Sequence, residues 1–247
     1  MALIDKLTAI ANAIRAKTGG TAKMSLDEMA TAISDIETGA PDTTALKGLI
    51  ERTVTSIELP EDLTSIGTYA FHGCSNLALT SLPNGITIIG AYAFYGCKNL
   101  ALTSLPNGIT NIYSNAFFEC TNLKLTSLPE NLTSIGNAIF YNCTKLALTS
   151  LPSGITMIDY NAFNGCSKLA LSSLPAGITV IRNSAFHNCT GLTALTFSGT
   201  PSIGIEPQAF SGCTNLTTIN VPWAEGAVSG APWGATNATI NYNYTGE

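Results

Sequence analysis

Of the 247 residues, 45% are hydrophobic and only 11% are charged, about half the usual charged share. A net charge of −5 with no basic run leaves nothing to hold a phosphate backbone or an anionic lipid surface, so neither nucleic acid nor membrane is expected as a partner. No apolar run approaches the ~20 residues of a membrane span.

In chain order, the first expected element is a helix through Leu3, Leu7, Ile10 and Ile14, whose 4-3-4 steps make one stripe. Thr18–Gly20 stops it. Ser25 and Glu28 then form a capping box before a second helix striped by Leu26, Met29, Ile33 and Ile36. Residues 1–37 therefore read as a helical hairpin module and residues 38–43 as a linker. Both stripes are heptad-like, so self-association through residues 1–37 stands beside intramolecular packing. Asp5 interrupts any signal-peptide layout at the N-terminus, so the chain is expected to be made in the cytoplasm. It would reach the outside as part of a released particle.

Residues 44–222 are governed by a repeat. Cysteine recurs at Cys74, Cys97, Cys120, Cys143, Cys166, Cys189 and Cys213, spaced by 23 five times and then by 24. Pro60, Pro83, Pro106, Pro129, Pro152 and Pro175 keep the same beat, as do Phe71, Phe94, Phe117, Phe140, Phe163, Phe186 and Phe210. A period of 23 falls in the leucine-rich repeat window of 20–29 residues. Each unit reads as a strand ending at Leu-Pro, a turn, a second short strand such as "GITIIG", and a turn carrying "AFxGC". One unit cannot bury its own Leu, Ile, Phe and Cys, but stacked units share a continuous core. The expected fold is a β-rich solenoid of seven to eight coils, roughly 35–40 Å long at ~4.8 Å per coil. In the middle units "LALTSLP" places apolar residues at positions 1, 3 and 6, where the outer units have 1, 4 and 6. Positions 3 and 6 cannot both face inward along a regular strand, which predicts irregularity near Thr80, Thr103, Thr126, Thr149 and Ser172. Residues 223–247, with Trp223, Trp233 and the alternating Ile240, Tyr242 and Tyr244, read as a cap over the last coil; a sugar platform is the functional alternative.

One cysteine per coil at a fixed phase means a ladder of inward-facing thiols. Neighbouring Cβ atoms on parallel vectors lie farther apart than the ~3.5–4.5 Å of a disulfide, so the thiols are read as small buried hydrophobes. A serine at Cys143 would then bury a hydroxyl that lacks a partner. No metal or cofactor is expected, since there is no CxxC pair and the two histidines, His72 and His187, sit five coils apart. No acidic pair repeats in phase on neighbouring coils, and no phosphate-binding glycine motif occurs, so the chain does not read as an enzyme. Asp159, Arg182 and Glu206 share a phase on successive coils and read as an exposed ion ladder.

Two lanes are candidates for binding. The position after the phenylalanine carries His72, Tyr95, Phe118, Tyr141 and His187, interrupted by Asn164. Stacked coils would align these rings as a stripe suited to a sugar or a protein hot spot, or leave them packed over the turn below. A second lane, Ser81, Ser104, Ser127, Ser150 and Ser173, would form a neutral hydroxyl face that either binds glycan or keeps the rod soluble.

Over about residues 50–222 the repeat, in "LPNGITIIGAYAFYGCKNL" and its copies, resembles the BspA-like family of bacterial leucine-rich repeats. The N-terminal "IDKLTAIANAIRAKTGGTAKMSLDEMATAISDI" and the C-terminal "VPWAEGAVSGAPWGATNATINYNY" resemble segments of tail and tail-fibre proteins of phages and prophages of Gram-positive gut bacteria. The resemblance implies a non-enzymatic adhesion or recognition module that binds a glycan or protein on a bacterial surface, as part of a virion tail or outside the cell after release. A structural spacer with no ligand of its own is the alternative.

Overall fold

A computed structural model describes residues 52–200 and 203–246. The helical module at 1–37, the linker and the start of the solenoid at residue 44 lie outside the described residues. Among those described, no helix is long and apolar enough to cross a membrane.

The repeat forms a solenoid of about eight turns. Its strands are very short: β1 (Ser65–Ile66), β2 (Ile88–Ile89), β3 (Asn111–Ile112), β4 (Ser134–Ile135), β5 (Met157–Ile158), β6 (Ser173–Leu174), β7 (Val180–Ile181), β8 (Ala194–Phe197), β9 (Gly204–Ile205), β10 (Thr218–Asn220) and β11 (Thr239–Asn241). All pairs are parallel, in three sheets ordered β1-β2-β3, β4-β5-β7-β9 and β11-β10-β8-β6. The first two sheets hold the "GIT" strands of successive turns. The third holds strands from the other side of the turns, where β6 leads into Leu174-Pro175, and there the sequence expectation needs correcting. In the earlier turns the "LALTSLP" segment is extended but not a strand, and it bends at Thr103, Thr126 and Thr149. With the chain bent there, Leu102 and Leu105, and Leu125 and Leu128, are buried together. Strand pairing on this face begins only at β6, and is extended by β8 and β10, whose 1-4-6 pattern alternates regularly.

The core is a column of phenyl rings. Phe71, Phe94, Phe117, Phe140, Phe163, Phe186 and Phe210 lie on one another with centroids 5.1–5.7 Å apart and planes within 14° of parallel. Each phenylalanine is followed two residues on by a left-handed residue, and the first six are also preceded by one at the same distance. Tyr69, Tyr92, Asn115, Ala138, Asn161 and Ser184 precede, and Gly73, Gly96, Glu119, Asn142, Gly165, Asn188 and Gly212 follow. These reversals turn the backbone tightly around the ring and point it at the axis. On this side each turn donates to the next, as in Phe71 N–H to Ala93 O at 2.7 Å. On the strand side the direction reverses, as in Gly90 N–H to Ile66 O at 2.8 Å.

The C-terminal segment reproduces both directions. Trp233 O accepts the Phe210 amide at 2.9 Å, and Thr239 N–H donates to Thr217 O at 2.9 Å. Trp223 and Trp233 are buried against Phe197, with centroids 5.6 and 6.0 Å from it. These indoles close the last turn, and buried rings offer no face to a sugar. The expected alternation at Ile240, Tyr242 and Tyr244 is shorter than the sequence suggests, since β11 ends at Asn241.

One seam in the rod is incomplete. Strand-side bonds join Tyr113 N–H to Ile89 O and Asp159 N–H to Ile135 O, each at 2.9 Å. Among the described residues no equivalent bond joins Gly136 to Ile112 or Thr133 to Thr110, and β3 does not pair with β4. The cause is local. Ile139 occupies the buried position held by Ala93, Ala116, Ala162, Ala185 and Ala209 in other turns. Its Cδ1 lies over Gly136, 3.3 Å from where a Cβ there would sit. A larger side chain in an alanine-sized space opens the strand side of this step, while on the phenylalanine side Phe117 N–H still donates to Ile139 O at 3.0 Å and Phe118 stacks on Tyr141 at 4.4 Å. The step from Phe117 to Phe140 is the widest in the column at 5.7 Å, and Ile112 is only partly buried where its counterparts are covered. Deleting a buried isoleucine down to alanine typically loses ~2–5 kcal/mol. Here Ile139→Ala should lose only about 1 kcal/mol or less, because closing the seam regains hydrogen bonds worth ~1 kcal/mol each. Amide exchange at Thr133 and Gly136 should slow in the variant. A full-sized loss with unchanged exchange would mean that Ile139 merely fills space.

Candidate recognition surface

The left-handed corner that buries each phenylalanine turns the next side chain outward. His72, Tyr95, Phe118 and Tyr141 therefore stand in register, as the sequence suggested, and all four are half-buried. Their rings stack face to face at 4.9, 4.5 and 4.4 Å, with planes 2–12° apart. Ring faces between neighbours are thus closed, and what the stripe presents to solvent is edges. Asn164 ends the stack, and among the described residues His187 pairs with no other ring.

A second aromatic lane runs beside the first and escapes the sequence reading. Tyr69 and Tyr92 stack on each other at 5.0 Å, and Tyr92 reaches Tyr95 at 5.8 Å. Tyr69 meets His72 edge-on at 5.6 Å and is 56% exposed. Both tyrosines are left-handed, with φ of 60° and 55°. A bulky side chain in that region carries roughly 1–2 kcal/mol of strain, which Asn or Gly largely escapes. Later turns place Asn115, Ala138, Asn161 and Ser184 at the same position. The visible signal was the pairing of Tyr69 and Tyr92 at one phase, which alone does not mark a lane. Arg52 lies against this end: a Cβ on Gly73, whose φ is +74°, would come within 3.0 Å of its Cδ. Partial burial, followed by the Arg52 charge, holds the His72 imidazole below its ordinary value.

The serine lane is where the sequence placed it. Ser81, Ser104, Ser127, Ser150 and Ser173 are all exposed, beside exposed Thr80, Thr103, Thr126, Thr149 and Ser172. A further lane at Thr64, Thr87, Thr110, Thr133, Thr156 and Thr179 is structural. Thr87, Thr110, Thr156 and Thr179 each donate a hydroxyl to the carbonyl of the threonine one turn earlier, at 3.1–3.3 Å. In the expected ion ladder only one rung forms. Arg182 Nη1 lies 3.0 Å from Glu206 Oε1, while Asp159 accepts the backbone amide of Tyr160 at 2.8 Å. Hydrogen bonding to Arg182 holds the Glu206 carboxyl below the usual range, and Arg182 also lies over the Tyr160 ring at 5.6 Å.

The seven thiols are free and buried. Each from Cys97 onward donates to the carbonyl of the phenylalanine one turn back: Cys97 to Phe71, Cys120 to Phe94, Cys143 to Phe117, Cys166 to Phe140 and Cys189 to Phe163 at 3.0 Å, and Cys213 to Phe186 at 2.9 Å. The thiol therefore ties neighbouring turns together, which corrects the expectation that a serine there would lack a partner. Burial raises the thiol of every rung, Cys213 to about 12 and Cys143 well above its ordinary value. These are not activated thiolates. Among the described residues no group of three or more His, Cys, Asp and Glu could hold a metal.

The comparisons with known proteins agree with this architecture. A model of the BspA type leucine-rich repeat region matches in six copies, over residues 50–170 and 161–226. No curated protein matches the chain. A leucine-rich repeat protein from Eubacterium ventriosum is 30% identical, with a TM-score of 0.51, covering 65% of this chain and 43% of that one. The pneumococcal vaccine antigen PcpA shares the fold at 20% identity and a TM-score of 0.54, covering 72% of this chain and 44% of that one. A leucine-rich cell surface protein from Faecalibacterium prausnitzii is 20% identical, with a TM-score of 0.43, covering 78% of this chain and 80% of that one. This chain spans less than half the length of the first two.

The thiol geometry has a measurable consequence. A thiol raised in the folded state keeps its proton when the unfolded thiol, near 8.5, has lost it. Above that value the unfolded chain binds fewer protons, so stability is complete below it and falls as pH rises. Cys143→Ser keeps a donor to Phe117 O and should lose about 1 kcal/mol or less at neutral pH. Between about pH 9 and 11 its stability should fall less steeply than the parent's, by up to ~1.4 kcal/mol per pH unit. Urea unfolding across that range measures both. Identical slopes would show that the Cys143 thiol titrates as freely in the fold as out of it.

Proposed function

The chain belongs to the BspA-type leucine-rich repeat family, and from that premise we propose that it is a non-enzymatic recognition module. It binds a protein or glycan on a bacterial surface through the outward edge of the phenylalanine turns. The observation that carries this reading is the stack of His72, Tyr95, Phe118 and Tyr141. It is a continuous aromatic edge on a rod with only eight charged side chains between Phe71 and Ile205. Aromatic side chains are the typical anchors of interface hot spots, and Coulomb steering has little to act on here. In the same reading the module is displayed outside the cell, on a phage or prophage tail whose terminal segments those of this chain resemble. Residues 1–37 then serve assembly, through self-association of their two apolar stripes. The exposed serine lane is a secondary contact surface for hydroxyl-rich ligands.

Binding to intact Gram-positive gut bacteria, measured by cytometry on the labelled chain, tests the proposal. Replacing Tyr95, Phe118 and Tyr141 together by Ala should lower apparent affinity by about thirtyfold or more, as truncation of a hot spot does. Circular dichroism should show the repeat still folded, because the phenylalanine column beneath is untouched. A folded triple variant that binds as the parent does would return the chain to the role of spacer.

A further inference from the structure

The aromatic edge is not uniform along the rod, and its chemistry is concentrated at the first two described turns. Tyr69, Tyr92, His72 and Tyr95 form a four-ring cluster there, with centroid contacts of 4.9–5.8 Å on every side. Two of its members hold a left-handed backbone that other turns give to Asn, Ala or Ser. Folding does not require the rings, since turns with Asn115 or Asn161 close just as well. Strained bulky residues that the fold does not need are a mark of a functional site.

The cluster also differs in charge. Arg52 lies across Gly73 beside His72, whereas the stripe farther along continues with Phe118 and Tyr141. Ring edges carry the positive end of the aromatic quadrupole. Edges, phenol hydroxyls and a guanidinium together make a surface rich in donors and positive potential, and its complement is an acceptor-rich, negative group. A sugar would bind by laying its C–H face on an open ring face, and here the inner faces are closed and only the faces at the ends of each stack remain. A carboxylate flanked by apolar side chains instead meets both the edges and the guanidinium.

We infer that the recognition edge is centred on Tyr69, Tyr92, His72 and Tyr95 beside Arg52, and that its partner is a protein segment carrying carboxylates among apolar side chains. This rests on the recognition reading above and narrows it from glycan or protein to an acidic protein segment.

The test uses the full chain on an array of short peptides that alternate Glu or Asp with Leu or Phe. Matched peptides carry Lys in place of the acids, and a second array carries neutral and acidic bacterial glycans. Acidic peptides should be retained about tenfold or more over their lysine counterparts. The double variant Tyr69→Asn, Tyr92→Asn uses residues that other turns place at this φ, so its melting temperature should hold or rise. It should nevertheless lose about tenfold or more of the retention, and Arg52→Gln should erase the preference for acids. Equal retention of acidic and basic peptides, capture by glycans in place of peptides, or unchanged binding by the double variant would overturn the inference. Cell binding that needs Phe118 and Tyr141 but survives the double variant would overturn it while leaving the recognition reading in place. A parent chain that binds no cells would overturn both.

Discussion

The rod depends on one repeated contact, the phenyl ring of each turn lying on the ring of the next. Covering a phenylalanine is worth ~1.5–3 kcal/mol, and stacking adds ~0.5–1.5 kcal/mol per pair. The gain exists only between turns, because a ring in an isolated turn has nothing above or below it. The rest of the repeat serves that placement. The left-handed residues beside it aim the ring, and the cysteine of the following turn donates to its carbonyl and so fastens the two turns together. The same corner that drives the phenylalanine inward forces its neighbour outward. The core column and the aromatic edge are therefore two products of one backbone reversal.

Much of this was legible in the spacing. A period of 23 with Phe, Cys and Pro in fixed phase specifies turns, an inward phenylalanine and an inward thiol before any coordinate is known. The bends at Thr103, Thr126 and Thr149 were legible too, because two leucines three apart cannot share a face of a regular strand. What stayed hidden depends on deviations between copies rather than on their consensus. Ile139 in an alanine site opens a seam, yet in the sequence it is one apolar residue replacing another. Tyr69 and Tyr92 look like ordinary surface residues until their φ angles and their contact with the neighbouring stripe are known. The hydrogen-bond partner of each thiol from Cys97 onward is a backbone carbonyl 26 residues away, or 27 for Cys213, and no side-chain pattern records it.

The edge also shows why aromatic periodicity alone is a weak guide to ligand chemistry. Rings repeated every 23 residues suggest a platform, but repetition at under 5 Å makes each ring the lid of its neighbour. A stripe so arranged behaves as a narrow rail. Variety in it comes from its flanks, such as the second tyrosine lane and Arg52, and from the residues that interrupt it.

The incomplete seam bears on how the protein carries load. Hydrogen bonds between turns run along the rod, so tension between its two ends is shared by all the bonds of one seam at a time, and the weakest seam yields first. Ile139 makes that seam the one between β3 and β4. Under tension the rod would part there, between the turn of Phe117 and that of Phe140, and the chain between β3 and β4 would lengthen as a tether.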